Sequence, residues 1–237
     1  MIWPTLARAE LTLLLRSPLA LANAVLLPIG SGVGWMLLAR DSPAGLDADA
    51  IAMQVLLLLG FTLYVGAVTM LAGRRQERVL KRLRESALTS VGAWAGLLLP
   101  LVVLGLVQTV LMVAVTLAAG VDPPGRWWPL IAAVALGIVL AGAFAVVTSV
   151  VTPAPELAQL TTVPVFLALF GGGVWVLKGG AWAFLLPGGA VTELVRLAWQ
   201  ADARWFDGWR DVVVMTVSIG AAGLLAGRYF RWDPRTS

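Results

Sequence analysis

Six stretches of the 237-residue sequence are long, apolar and free of carboxylates. A helix needs about 20 mostly apolar residues to cross the hydrocarbon of a bilayer, and each stretch is near that length. With 59% hydrophobic residues and a mean hydropathy of +0.89, the chain has more apolar surface than one water-soluble core would bury. We therefore predict an all-α integral membrane protein with six transmembrane helices near residues 19–39, 51–72, 92–118, 130–151, 157–177 and 212–229.

The residue types that carry much of enzyme chemistry are missing from the sequence. There is no cysteine and no histidine, which excludes disulfides, thiol nucleophiles, imidazole bases and the usual zinc or haem ligands. The phosphate-binding loop GxxxxGKS/T is missing too, because Lys81 follows Leu80 and Lys178 follows Leu177. We expect no catalytic residue, no metal site and no cofactor bound by this chain. Energy for any active transport must then come from another subunit.

The basic residues predict the orientation of the chain in the membrane. With both termini in the cytoplasm, eleven of the 17 basic residues lie inside and six lie outside, as the positive-inside rule requires. The net charge of +4 therefore indicates membrane orientation, and we expect no nucleic-acid partner.

Two segments flanking the spans are predicted to contact the membrane surface. Residues 1–17 are predicted to form an amphipathic surface helix. At the end of this segment Ser17 can cap the first span, and Pro18 can be the first helical residue of that span. Residues 178–211 are too apolar for a solvated loop, yet too interrupted by glycine and proline for a span. We expect them to form a partly re-entrant hairpin and a short helix at the outer interface.

The polar side chains within the spans are mostly hydroxyls and amides. Transporters coupled to protons or sodium usually carry ionisable groups at depth, so spans without carboxylates argue against that class. The hydroxyls and amides either hold helices together or line a substrate path. The candidates for the path are Asn23, Gln54, Thr62, Tyr64, Thr161 and Thr162.

Residues 74–84 read RRQERVLKRLR, with six cations in eleven positions. A helical wheel separates apolar from charged residues here, which predicts a short amphipathic helix on the cytoplasmic surface. The charged face has a row of arginines four residues apart, and like charges at that spacing repel unless an anion faces them. Anionic lipid headgroups would satisfy the row, and so would a docked protein. The apolar face consists of Val79, Leu80, Leu83 and Ala87.

The segment 74–96, RRQERVLKRLRESALTSVGAWAG, resembles the signature after the second span of ABC-2 type exporter permeases, RExGTLKRLRxTPL followed by an aromatic residue and a glycine. The shared core LKRLR stands at residues 80–84, and the continuation matches at Leu88, Trp94 and Gly96. The sequence departs from the signature at Gln76, Arg78, Val79 and Ala87. The N-terminal segment, the six spans and the stretch 153–175 before the outer segment fit the same family, so the resemblance covers nearly the whole chain.

This resemblance implies one ABC-2 type transmembrane domain over residues 1–237, the permease subunit of an ATP-driven exporter in the bacterial inner (plasma) membrane. Such permeases act as dimers of identical or related chains, and each docks on a separate ATP-binding cassette subunit that binds ATP and Mg. The substrate would pass between the two copies, lined chiefly by the first, second and fifth spans, with glycine runs at 30–34 and 171–173 allowing close packing. Docking would use a coupling helix at 74–90, through Arg75, Arg78, Val79, Leu80, Lys81, Arg82, Leu83, Arg84 and Ala87.

Two other functions remain open from the residues themselves. A membrane scaffold or assembly factor without transport is equally compatible with uncharged spans. A lipid-modifying enzyme of the membrane is disfavoured, since paired carboxylates or histidines at the membrane face are missing.

Overall fold

The computed structural model describes residues 48–77, 90–200 and 206–229, together with 202, 204 and single positions between residues 8 and 37. These ranges are helical and contain no β-strand. A π-helix, Leu59–Val65, joins the first two α-helices, and the 3-10 helices Pro155–Leu157 and Ala183–Leu185 precede α5 and α6. The α-helices are α1 (Ala48–Leu58), α2 (Gly66–Gln76), α3 (Ser90–Ala118), α4 (Trp127–Val151), α5 (Ala158–Leu177), α6 (Pro187–Leu197) and α7 (Trp209–Tyr229).

Five helical segments of the described chain are long and apolar enough to cross a membrane. They coincide with the second to sixth predicted spans, which confirms the all-helical membrane architecture for this part of the chain. The first predicted span and the surface helix at 1–17 lie largely outside the described residues. The five segments are Ala48–Gln76, Gly96–Ala118, Trp127–Val151, Pro155–Leu177 and Trp209–Tyr229.

The second span forms the centre of the bundle. It runs without a break from α1 through the π-helix into α2, and every residue from 50 to 60 is buried. Helices α3, α4 and α5 pack around it, while α7 packs on α4 at the rim. Because successive spans alternate in direction, the C-termini of α2, α4 and α7 lie with the N-termini of α3 and α5 at one end of the bundle. We call it the Arg75 end, and the opposite end the Asp49 end.

The π-helix adds a residue to one turn in the middle of the second span. The N–H of Gly66 donates to the carbonyl of Phe61, five residues earlier. Segments of this kind are rare and occur often at functional sites. The Thr62 hydroxyl donates to Gln108 Oε1 of α3 over 2.7 Å, which holds the π-helix against its neighbour.

The described part of the segment 178–211 includes a short helix that lies within the bundle. Helix α6 is inserted between the spans, with eight of its eleven residues buried, and packs against α1, α4, α5 and α7. The turn leading to it includes Gly179, whose φ of +74° is a left-handed conformation that costs glycine little. The predicted short helix therefore exists, but it is part of the packed bundle.

Glycines bring the backbones of α5 and α6 into direct contact. A Cβ added to Gly188 would lie 1.8 Å from the carbonyl oxygen of Leu169, and one added to Gly172 would lie 2.8 Å from the backbone nitrogen of Gly189. Gly173 packs as tightly against Leu56 of α1. Two of the three glycines at 171–173 thus serve packing within one chain.

Candidate functional site

A groove of about 300 Å³ lies between the π-helix of the second span and the N-terminal half of α5. The π-helix contributes two side chains, and α5 contributes five that recur every three to four residues on one helical face. Most of the lining is apolar, and one amide stands near the Arg75 end of α5. The lining residues are Phe61, Val65, Gln159, Thr162, Val163, Phe166 and Leu167.

An aromatic cluster forms one wall of the groove. The rings of Phe61 and Phe166 lie 4.6 Å apart between centroids in a tilted arrangement, and Phe170 stacks on Phe166 at 6.4 Å. Gly60 allows this close approach, because a Cβ there would lie 2.7 Å from Cε2 of Phe166. The wall presents ring faces and edges that suit an apolar or amphipathic occupant.

Of the path residues predicted from the sequence and described by the structure, Thr162 lines the groove. Its hydroxyl donates to the carbonyl of Ala158 over 2.7 Å, so this polar group is already hydrogen-bonded within α5. Tyr64 lies directly behind the groove wall and is fully buried. Its hydroxyl lies 2.9 Å from Thr148 Oγ1 and 3.5 Å from the carbonyl oxygen of Thr162.

The other predicted path residues hold helices together. Thr62 bonds to α3 as described above, and Gln54 Oε1 accepts from the hydroxyl of Thr116, also in α3, over 3.3 Å. Thr161 shares a 2.7 Å hydrogen bond with Thr152 at the end of α4. Asn23 lies outside the described residues. The role of these side chains in a path stays a prediction.

Sequence reasoning missed most of the groove, including Phe61, Phe166 and Leu167. The available signal was the spacing of the α5 residues on one face and the pair of phenylalanines in two different spans. A polar residue in an apolar span attracts attention, whereas an aromatic residue there looks like ordinary packing.

Arg75 occupies a different place from the one expected for a docking residue. It belongs to α2 and is 5% exposed, and its guanidinium turns inward to the last turn of α4. Nη1 donates to the carbonyls of Ser149 at 2.7 Å and Thr152 at 3.5 Å. Nη2 lies 3.4 Å from the Ser149 hydroxyl oxygen. In this structure Arg75 is thus a contact within the permease.

The remaining predicted coupling residues lie outside the described part of the chain. Helix α2 ends at Gln76 with Glu77 as its cap, so residues 74–76 continue the second span and are not the start of a separate helix. Arg74 pairs with Glu77 on the exposed side of this last turn. The coupling helix is therefore still a sequence prediction for residues 78–89, with Arg78, Val79, Leu80, Lys81, Arg82, Leu83, Arg84 and Ala87 among them.

A buried carboxylate stands at the Asp49 end of the last span. Helix α7 begins at Trp209, a few residues before the predicted span, so Asp211 falls in its first turn and is 4% exposed. Its Oδ1 has no hydrogen-bond partner. The last span as predicted, residues 212–229, contains no carboxylate. The helix that forms this span begins three residues earlier and includes Asp211.

One comparison with known proteins identifies the chain. The sequence pattern of the ABC-2 family transporter proteins matches residues 42–228, which include α6 and the five described spans up to the penultimate residue of the last. No curated protein matches the chain. The match extends over most of the 237 residues. A family of membrane transporters also agrees with the five apolar helices of the described chain. The chain therefore belongs to the ABC-2 family of transporter proteins.

Proposed function

We propose that this chain is the permease subunit of an ATP-driven exporter, that it works as a dimer, and that the groove between the π-helix and α5 belongs to its substrate path. As a member of the ABC-2 family, the chain is a membrane component of an ABC transporter without an ATPase site of its own, and the family implies an ATP-binding partner. The export direction, the dimer and the docking of the partner at residues 74–90 go beyond this family assignment and are part of the proposal.

The observation that carries the proposal is the chemistry of the groove. It has a wall of phenylalanine rings, further aliphatic side chains and the amide of Gln159 at one end. Such a lining favours an apolar or amphipathic molecule whose polar group lies near that amide. Lipids, hydrophobic antibiotics and apolar peptides share this chemistry.

An exposed apolar face of α5 continues from the groove and supports the dimer. Leu160 is 71% exposed, Leu167 is 59% exposed, and Gly171 has open space around it. Small residues beside large ones allow membrane helices of two copies to approach closely. A second copy on this face would close the groove into a path between protomers.

Coupling to ATP hydrolysis would take place at the Arg75 end, which the charge distribution assigns to the cytoplasm. The segment 78–89 follows directly after α2, so a movement of that segment would act first on α2. The ATP and Mg would be bound by the cassette subunit.

Cross-linking and ATPase measurements test the proposal together. The chain has no cysteine, so each introduced cysteine is the sole thiol. Leu167→Cys in membranes should give a disulfide-linked dimer, while Val139→Cys, 51% exposed on α4, should not. The purified permease should not hydrolyse ATP, and adding its cassette subunit should create hydrolysis in lipid nanodiscs.

Two results would reject the proposal in different ways. Equal cross-linking at Leu167→Cys and Val139→Cys would remove the dimer along α5. A cassette subunit that binds without hydrolysing ATP would favour the scaffold, the second function left open by the sequence.

A further inference from the structure

The inward orientation of Arg75 places a positive charge at the carbonyl end of a neighbouring span. The last carbonyls of a helix have no partner within it and carry the negative end of the helix dipole. The Arg75 guanidinium donates over 2.7 Å to the carbonyl of Ser149 in the last turn of α4, and over 3.5 Å to the carbonyl of the C-cap residue Thr152. A buried cation at the end of a membrane span is costly unless it is paired in this way. The side chain of α2 thus caps α4.

The capped turn of α4 contacts both walls of the groove. Within this turn, the Thr152 hydroxyl donates to the carbonyl of Thr148 over 2.9 Å. On the α5 side, Thr152 Oγ1 lies 2.7 Å from Thr161 Oγ1. On the π-helix side, Thr148 Oγ1 lies 2.9 Å from the hydroxyl of Tyr64. A displacement of the turn would therefore move the backing of the π-helix and the first turns of α5 together.

We propose that Arg75 is a positioning residue that transmits movement of α2 through the last turn of α4 to both walls of the groove. The proposal rests on the proposed docking of a cassette subunit at residues 74–90. It differs from the sequence expectation, in which Arg75 touches the partner itself. Arginine suits this role because the two arms of its planar fork reach the carbonyl and the hydroxyl oxygen of Ser149 together, through Nη1 and Nη2, which the point charge of a lysine ammonium matches less well.

The test measures how fast maleimide labels Thr162→Cys, a position on the groove wall that is 2% exposed and reacts when the wall opens. In the isolated permease in nanodiscs, Arg75→Gln should raise the labelling rate about fivefold, because losing a charge-assisted hydrogen bond favours local opening by at least that factor. Arg74→Gln is the matched control, since it removes an equal charge from the same turn and breaks a pair with Glu77, which lies in that turn and not on α4. Arg75→Lys should give an intermediate rate.

The second measurement uses the complex with the cassette subunit. Arg75→Gln should leave pull-down of the cassette subunit unchanged and remove the change in Thr162→Cys labelling that ATP with vanadate causes in the parent complex. Leu83→Ser, on the predicted docking face, should instead reduce the pull-down.

Each contrary result has its own meaning. Equal labelling of the Arg75→Gln and Arg74→Gln proteins in the isolated permease would overturn the proposal, because the cap would then not support the groove. Loss of pull-down with unchanged labelling would also overturn it, since Arg75 would then contact the partner. If labelling behaves as expected but the parent chain binds no cassette subunit, the proposed function fails and the transmitting role fails with it, leaving only the cap.

Discussion

A carboxylate oxygen of Asp49 lies 2.6 Å from Nε of Arg196, which joins the first turn of α1 to the last turn of α6. Both charges also suit their helix ends, because the N-terminus of α1 favours an anion and the C-terminus of α6 favours a cation. Close by, the N–H of Arg126 donates to the carbonyl of Ala198 over 3.1 Å, and Nε1 of Trp199 donates to the carbonyl of Asp122 over 2.8 Å. These contacts fix the inserted helix α6 at the Asp49 end of the bundle.

The first prediction concerns the strength of this ion pair. Both side chains are about one-third exposed, so solvent screens their attraction and we expect a coupling of about 0.5 kcal/mol. Asp49→Asn, Arg196→Gln and the double variant form a double-mutant cycle, which is read from unfolding in detergent. Strictly additive effects of the two single changes would show that the pair does not hold α6 in place.

The second prediction uses two glycines in the contact region of α5 and α6. Gly188→Ala places a methyl group 1.8 Å from the carbonyl oxygen of Leu169, so the helices must separate, at a cost of about 1–3 kcal/mol. Gly171→Ala is the matched control, because its Cβ would have no atom within 4 Å. Thermal unfolding of both proteins in the same detergent should show a lower Tm for Gly188→Ala alone. A similar Tm for the two variants would mean that α5 and α6 are not in backbone contact.

Hydropathy was enough to predict the five described spans, since any segment that crosses a bilayer must be apolar over its whole length. The position of α6 could not be predicted in the same way. Its glycines, alanines and aliphatic residues suit a membrane surface as well as a protein interior, and the choice depends on the helices that surround it. The π-helix leaves no mark in composition either, because it is a change of hydrogen-bond register within an apolar run.

The groove and the cap of Arg75 depend on pairs of residues far apart in the chain. Phe61 and Phe166 meet because α5 packs on the second span, and neither sequence neighbourhood indicates this contact. The cations at 74–84 look alike in the sequence, so all of them were assigned to a surface. Arg75 differs because it is on the side of α2 that faces α4. Of these cations the structure describes Arg74 and Arg75, and the sequence indicated neither the partner of Arg75 in α4 nor the pair of Arg74 with Glu77.

The third prediction compares the two tyrosines of the chain. Tyr64→Phe removes a hydroxyl bonded to Thr148 in the buried centre, and we expect a loss of about 0.6–1.5 kcal/mol in stability. Tyr229→Phe, at a residue 55% exposed at the end of α7, should have little effect. The measurement is the unfolding midpoint in detergent. Equal midpoints for the parent chain and Tyr64→Phe would show that the Tyr64–Thr148 bond adds nothing to stability.

The fourth prediction tests the groove as part of the substrate path. Val163→Trp fills part of the groove with a large side chain. We expect this overpacking to raise the activation free energy for movement of the groove wall by about 1.4 kcal/mol, which would slow turnover about tenfold. Val139→Trp adds the same side chain on the exposed face of α4 and should leave turnover unchanged. The ATPase rate of the complex with its cassette subunit in nanodiscs gives the comparison, with pull-down as a check on assembly. Full activity of Val163→Trp would remove the groove from the path.

The last prediction concerns orientation in the membrane, on which docking at the Arg75 end depends. Glu156 lies in the 3-10 helix between α4 and α5 at that end, whereas Asp122 lies in the loop between α3 and α4 at the opposite end. Both positions are exposed, and α4 separates them by the thickness of the bundle. Since eleven of the 17 basic residues belong to the predicted cytoplasmic side, a membrane-impermeant maleimide applied to intact cells should label Asp122→Cys and not Glu156→Cys. Disrupting the cells should make both sites react, which controls for local reactivity. Labelling of Glu156→Cys alone in intact cells would invert the orientation and place residues 74–90 out of reach of any cytoplasmic ATPase.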